Sequence, residues 1–233
     1  MVPRPAYLRY YTSMLQHRFI DSALRNPDKI AFIDRSLGSN VSYSRALLAS
    51  LILARRFKKL ERGRIGVMLP TSSAGGLAVI AALMADRTPV MINYSTGAEK
   101  NCLYAKEQCD FRVIVTAKAL LEKIGCKKLP NMVLIEDILG TLGKLEKALA
   151  FVKSNLPISL LKRAVGKSNP DSPAVILFTS GSEKEPKVVQ LTQRNILSNI
   201  DSFSEMMDIY EMDNLLAVLP YFHVFGLTIN LWT

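Results

Sequence analysis

The sequence predicts an α/β protein of parallel sheets flanked by helices, and three observations carry that expectation. Short apolar runs bounded by turn residues recur along the chain. Helical patterns of about ten to fifteen residues separate them, which implies parallel pairing with both sheet faces covered. Finally, 49% of the 233 residues are hydrophobic, enough for a sizeable core without disulfides. Glycine (12) and proline (11) are near average, which excludes fibrous and low-complexity chains.

The elements follow in order. An N-terminal amphipathic helix carries His17, read as structural. IAFID, residues 30–34, is a short strand closed by the turn-like RSLGSN, and residues 41–43 extend again. A helix over 44–60 places Ala46, Leu47, Leu51, Leu53, Ala54, Phe57 and Leu60 at roughly helical spacing, and its basic end suits the helix dipole. Residues 65–85, IGVMLPTSSAGGLAVIAALMA, carry no charge over 21 positions and are long enough to span a membrane. Pro70, Thr71, Ser72, Ser73, Gly75 and Gly76 interrupt them, so the stretch reads as a strand (65–69), a turn and a small-residue helix (74–85). A strand at 88–92, a helix near 97–108, a strand at 111–115, a helix near 117–125 and a strand at 132–135 complete this half. Ligands of such sheets bind at loops beyond the carboxyl ends of the strands. No internal repeat is visible.

Residues 138–169 break the rhythm with apolar residues and interleaved lysines. Between Lys118 and Lys167 there are ten basic and four acidic residues, a net +6 of the whole chain's +10. A solvated face of ordinary helices is the plain reading; an anionic membrane or an acidic partner is the functional one. Nucleic acid is not expected, because the aromatics are not interleaved with the basic residues. Cys102, Cys109 and Cys126 form no Cys-x-x-Cys pair, and with His17 and His223 alone beside them no zinc site is expected. They read as buried free thiols in a reducing cytosol. The first residues lack the apolar core of a signal peptide. The expected organisation is a first α/β subdomain over 1–137, a basic amphipathic connector over 138–170, and a segment over 171–233 that begins a second subdomain.

The chemistry is concentrated from Ala174 onward, AVILFTSGSEKEPKVVQLTQRNILSNI. An apolar strand (175–178) runs into Thr179-Ser180-Gly181-Ser182, then Glu183-Lys184-Glu185-Pro186-Lys187, a second strand and a helix with Thr192 as its N-cap. Small hydroxyl residues and a glycine present N–H and O–H donors with little obstruction, and the lysine adds a mobile positive charge, a suitable cradle for phosphate oxygens. It is not a Walker A loop, which needs Gly-x-x-x-x-Gly-Lys-Ser/Thr. On residue types alone, phosphate binding and a plain hairpin turn both remain open.

Phe178-Thr-Ser-Gly-Ser-Glu-Lys-Glu-Pro-Lys187 resembles the phosphate-binding motif of the acyl-adenylate-forming (AMP-binding) superfamily, which includes acyl-CoA synthetases, luciferases and nonribosomal peptide adenylation domains. The similarity extends to LPYFHVFGLT (219–228) and to NPDKIAFID, VSYSRALLASLILARRF, RIGVMLPTS and TPVMINYSTGAEK, in the family's order. The wording is most similar to the acyl-[acyl-carrier-protein] synthetases, often fused to a 2-acylglycerophosphoethanolamine acyltransferase. Glu183, Lys184, Val188 and Gln193 depart from the usual motif residues.

The resemblance implies a truncated N-terminal domain of the acyl-CoA synthetase-like fold. It implies an ATP- and Mg2+-dependent acid–thiol ligase that converts a fatty acid to acyl-AMP and then to a thioester on acyl carrier protein or CoA. Thr179, Ser180, Gly181, Ser182 and Lys187 are implied phosphate ligands; Phe222, His223, Phe225 and Gly226 are implied to line the acyl-substrate site. The family's magnesium-holding glutamate, ribose-binding aspartate and catalytic lysine belong to segments further along than this chain, so no catalytic or metal-ligating residue is assigned within it. The chain is therefore read as the front part of a longer enzyme, inactive alone, cytoplasmic, with peripheral contact at the inner face of the membrane allowed. The alternative is a non-catalytic basic module for an acidic carrier protein or a membrane surface.

Overall fold

The computed structural model describes residues 14–35, 38–60, 62–166, 169–179, 186–210 and 212–233, apart from the side chain at 147. The described chain runs α1 (Leu15–Arg25), β1 (Ile30–Asp34), β2 (Ser39–Ser42), α2 (Tyr43–Leu60), β3 (Arg64–Met68), α3 (Ser73–Met84), β4 (Thr88–Met91), α4 (Ala98–Cys109), β5 (Ile114–Thr116) and α5 (Lys118–Ile124). It continues through β6 (Met132–Leu134), α6 (Ile135–Gly140), α7 (Lys144–Ser154), α8 (Ile158–Ala164), β7 (Pro173–Thr179), β8 (Lys187–Thr192), α9 (Gln193–Met207) and α10 (Val224–Trp232).

Six strands form one sheet in the order β6-β5-β3-β4-β7-β8. The first five are parallel, joined by helical crossovers as the alternating pattern requires. Two pairs depart from that expectation. β8 returns antiparallel against β7, and β1 with β2 makes a separate antiparallel ribbon. Their connections are too short for a parallel crossover, which needs about a dozen residues. Strands from both sides of the basic connector thus share one sheet. Pro89, which has no N–H to donate, precedes the point at which β4 meets β7, Val90 opposite Ile176.

Side chains alternate between two cores. Ile65, Val67 and Leu69 join a large core with Leu15, Phe57, Ile80, Ile196 and Leu227. Met68, Val90, Ile92, Ile114 and Ile176 face a smaller one, closed by Cys102, Ala105 and Cys109 of α4 and by Leu120 and Leu121 of α5. Helix α3 is buried at every position from Gly75 to Met84, which explains the uncharged stretch: the helix sits among protein on all sides. No helix among the described residues is long and apolar enough to cross a membrane.

The 111–115 strand begins later than expected, at Ile114. Phe111, 3% exposed, turns into the smaller core, and pairing with β3 is led by the Val113 carbonyl accepting from the Gly66 N–H. The predicted turn at 70–73 moves one residue earlier, to 69–72, because β3 ends at Met68 and α3 already begins at Ser73. The connector is helical. Its α7 rests on α2 through Ala150 and an Arg56–Glu146 ion pair, and Lys162 of α8 pairs with Asp21 of α1 at 2.6 Å. Arg18 forks onto Asp201 at 2.6 and 3.0 Å, tying α1 to α9.

Candidate active site

Beyond the apolar run of β7 the chain turns back, and the sheet register sets Thr179 directly opposite Lys187. The stem of the sequence-predicted cradle therefore stands at the carboxyl edge of the parallel strands. Both side chains at its stem are exposed. Ser180, Gly181 and Ser182, with Glu183, Lys184 and Glu185, lie outside the described residues. One residue of α4 grips both arms of the stem. The Tyr104 hydroxyl donates to the Pro186 carbonyl at 2.7 Å, and its ring meets Phe178 edge-on, centroids 5.9 Å apart at 63°. Behind the hairpin, Thr192 caps α9 in a reciprocal box with Asn195, as its position predicts.

The second predicted segment, residues 219–228, lies against the loops that follow β3 and β4. The Tyr221 N–H donates to Thr71 Oγ1 at 3.2 Å in the β3–α3 loop, and its ring is 3% exposed. Burial, with the negative Asp34 nearby, pushes the Tyr221 phenol up to about 12. Asp34 accepts from the Ser73 N–H and hydroxyl at 2.8 and 2.7 Å, so a buried carboxylate pins the first turn of α3 beside this segment. The Phe222 ring meets Tyr94, in the β4–α4 loop, edge-to-face with centroids 5.0 Å apart at 89°. That loop is held by Asn101, whose amide donates to the Asn93 and Thr96 carbonyls at 2.8 Å each.

His223 is the N-cap residue of α10. Its N–H donates to the Pro220 carbonyl at 3.0 Å, and its exposed side chain makes no capping bond. Phe225 is half exposed and packs edge-on against Phe203 of α9. Gly226 is buried, and a Cβ there would stand 2.3 Å from the Pro220 carbonyl oxygen, so the position admits only glycine. The chain therefore folds back tightly on itself between Leu219 and Gly226.

These features place two groups of predicted residues on the carboxyl edge: Thr179 and Lys187 at the hairpin stem, and Phe222 beside the β4–α4 loop. The Thr179 hydroxyl and the Lys187 ammonium are groups suited to phosphate oxygens. Among the described residues no three His, Cys, Asp or Glu side chains converge as a metal site. Cys102 and Cys109 are buried and Cys126 half-buried; burial pushes the Cys102 thiol up to about 12. Tyr104, Tyr94, Thr71 and Asp34 were not read as site residues from the sequence. Tyr94 and Thr71 carried a local signal, each just past a strand, in TPVMINYSTGAEK and RIGVMLPTS.

Residues 19–233 match the AMP-binding enzyme family. The chain belongs to that family. Among similar proteins, a long-chain-fatty-acid–CoA ligase of Bacillus subtilis is 28% identical over 92% of this chain and 43% of its own length. An acyl-CoA ligase of Ajellomyces capsulatus is 30% identical over 75% of the chain and 32% of its own length. This AMP-binding chain thus spans less than half the length of the curated relatives it matches. The fold is shared with the N-terminal domain of FACL13 from Mycobacterium tuberculosis, at a TM-score of 0.75 and 18% identity over 94% of this chain and 54% of that one. It is also shared with the o-succinylbenzoate CoA synthetase of Bacillus subtilis in complex with ATP and magnesium ion, at a TM-score of 0.71 and 18% identity over 91% of this chain and 53% of that one.

Proposed function

We propose that this chain is the phosphate-gripping and acyl-binding part of an acid–thiol ligase that activates a fatty acid with ATP. The observation that carries the reading is the hairpin stem. Thr179 and Lys187 face each other across it, at the carboxyl edge of a parallel sheet, in a chain of the AMP-binding family. Ser180, Gly181 and Ser182 supply further donors to the β- and γ-phosphates in this reading, and Lys187 the charge. Phe222, His223, Phe225 and Gly226 form the acyl side, with His223 positioning the carboxylate. The relatives that are fatty-acid– and acyl-CoA ligases support a fatty acid as the acid.

In the first step a carboxylate oxygen attacks the α-phosphorus of ATP, the bond to pyrophosphate breaks and acyl-AMP forms. A thiol then attacks the acyl carbon and loses its proton, a thioester forms and AMP leaves. The residues' contribution is positioning and charge compensation, with no protein nucleophile. Magnesium supplies charge neutralisation on the phosphates when bound; the described residues fit the phosphates and offer no ligand set for the metal itself. CoA is the acceptor that the relatives' names support, and phosphopantetheine of an acidic carrier protein is the alternative that the net charge of +10 favours. Buried free Cys102 and Cys109 support a reducing cytoplasmic setting.

Fatty-acid-dependent ATP–pyrophosphate exchange tests the reading in a protein that carries this segment with the remainder of a ligase. Lys187→Ala is expected to cut exchange by roughly tenfold to a hundredfold, as for a lost charge-assisted hydrogen bond. Unchanged exchange overturns the role given to Lys187. Salt-sensitive binding of an acidic carrier protein without nucleotide binding favours the non-catalytic module instead.

A further inference from the structure

Helix α7 presents two unlike faces. Ala150 and Glu146 turn inward, Glu146 onto Arg56, and with Leu149 and Lys153 they border a cavity of about 350 Å³ against α2. On the other side Leu145, Phe151 and Val152 are 71%, 62% and 62% exposed. Ile158 and Leu160 of α8 are 44% and 48% exposed. Between 144 and 163 the chain carries five basic residues and one acidic residue; Glu146 is paired with Arg56, Lys162 with Asp21, and the half-buried Lys153 turns inward. Exposed Lys144 and Arg163 stand at the two ends of this stretch. Next to it lies a basic cleft of about 400 Å³ lined by Lys58, Arg62, Arg87 and Arg163, with Asp86.

We propose that the outward face of α7 and α8 docks on an anionic phospholipid surface, with Leu145, Phe151 and Val152 entering the headgroup–acyl boundary and the surrounding cations meeting lipid phosphates. An interfacial helix needs apolar side chains on one face, basic residues flanking them and no length to span, and α7–α8 meets all three conditions. The large apolar side chains protrude from the helix instead of lining a groove. A fluid bilayer accommodates such protrusions, whereas a folded partner would need a matching concavity. The excess of positive charge selects an anionic surface. The inference is independent of the ligase reading and stands or falls without it.

Co-sedimentation of the chain with vesicles tests it. Binding is expected to vesicles of equal parts phosphatidylglycerol and phosphatidylcholine, to be absent with phosphatidylcholine alone, and to weaken as salt screens the charges. The exposed triple variant Leu145→Ser, Phe151→Ser, Val152→Ser is expected to keep the wild-type melting transition and lose about tenfold or more in partitioning. Lys144→Glu with Arg163→Glu should lower it as well. A Phe151→Trp variant should shift its emission to the blue on anionic vesicles only. No binding to anionic vesicles, equal binding by the triple variant, or capture of an acidic carrier protein without vesicle binding each overturns the proposal.

Discussion

At Gly75 a Cβ would stand 2.2 Å from the Pro70 carbonyl oxygen, a backbone atom that cannot swing aside. The Ser72 hydroxyl also accepts from the Gly75 N–H at 3.2 Å, so the β3–α3 turn closes onto the first turn of the helix. In an open helix a glycine-to-alanine change gains about 1 kcal/mol. Here the sign reverses: Gly75→Ala is expected to destabilise the fold by about 2 kcal/mol, visible as a lowered melting temperature. The pair Gly75–Gly76 was legible in the sequence as a turn signal, but its meaning was not. Glycine marks both turns and close approaches, and the approaching atom is named only by the folded chain. Asp34 is a similar case. It reads as the polar end of IAFID, while its function in holding Ser73 follows from a contact 39 residues away.

Helix α4 acts as a clamp at the scale of elements. Its amino-terminal end is set by Gly97, which adopts φ 61°, and by Asn101 holding the preceding loop, while Tyr104 holds the hairpin stem. Removing only the hydroxyl isolates the hydrogen bond from the ring contact. Tyr104→Phe is expected to cost about 1 kcal/mol and to speed amide exchange along β7 and β8 severalfold, read by hydrogen exchange, with the α2 and α3 amides unchanged. The spans of α2 and α3 and the start of α9 were legible because apolar periodicity, an uncharged run bounded by turn residues, and a capping residue are local features of the chain. The antiparallel return of β8 was left open between a cradle and a hairpin turn. A strand's direction depends on its connection and neighbour, neither of which its own residues encode.

For the whole molecule, packing of the amino-terminal helix against the rest couples stability to pH. The half-buried His17 has a buried Nε2 without a hydrogen-bond partner among the described residues. Burial, and then the positive Lys162, hold its pKa below the ordinary 6.5, opposed by a hydrogen bond to the Lys162 backbone and, less, by Asp21. The unfolded chain therefore binds a proton near pH 6.5 that the folded chain resists, so stability falls as pH drops below 6.5 towards the lowered folded value. Above that range His17 contributes nothing to the slope. His17→Gln is expected to flatten the pH dependence of the urea midpoint between about pH 7 and pH 5. The structural role read for His17 in the sequence is consistent with this packing, although its proton linkage arises from a neighbour on α8.

The sequence by itself determined the class of fold and the identity of most elements, and it marked the two segments proposed to carry the chemistry. Periodicity, caps and the Thr179–Lys187 spacing act over a few residues and leave a local trace. Tertiary structure alone decided which side chains support those segments: Tyr104 on Pro186, Thr71 on Tyr221, Tyr94 on Phe222. It also decided which apolar residues of the basic connector face outward. Leu161 is fully buried while Leu160 beside it stands 48% exposed, because burial is set by what packs against a helix, and hydropathy records only the side chain itself.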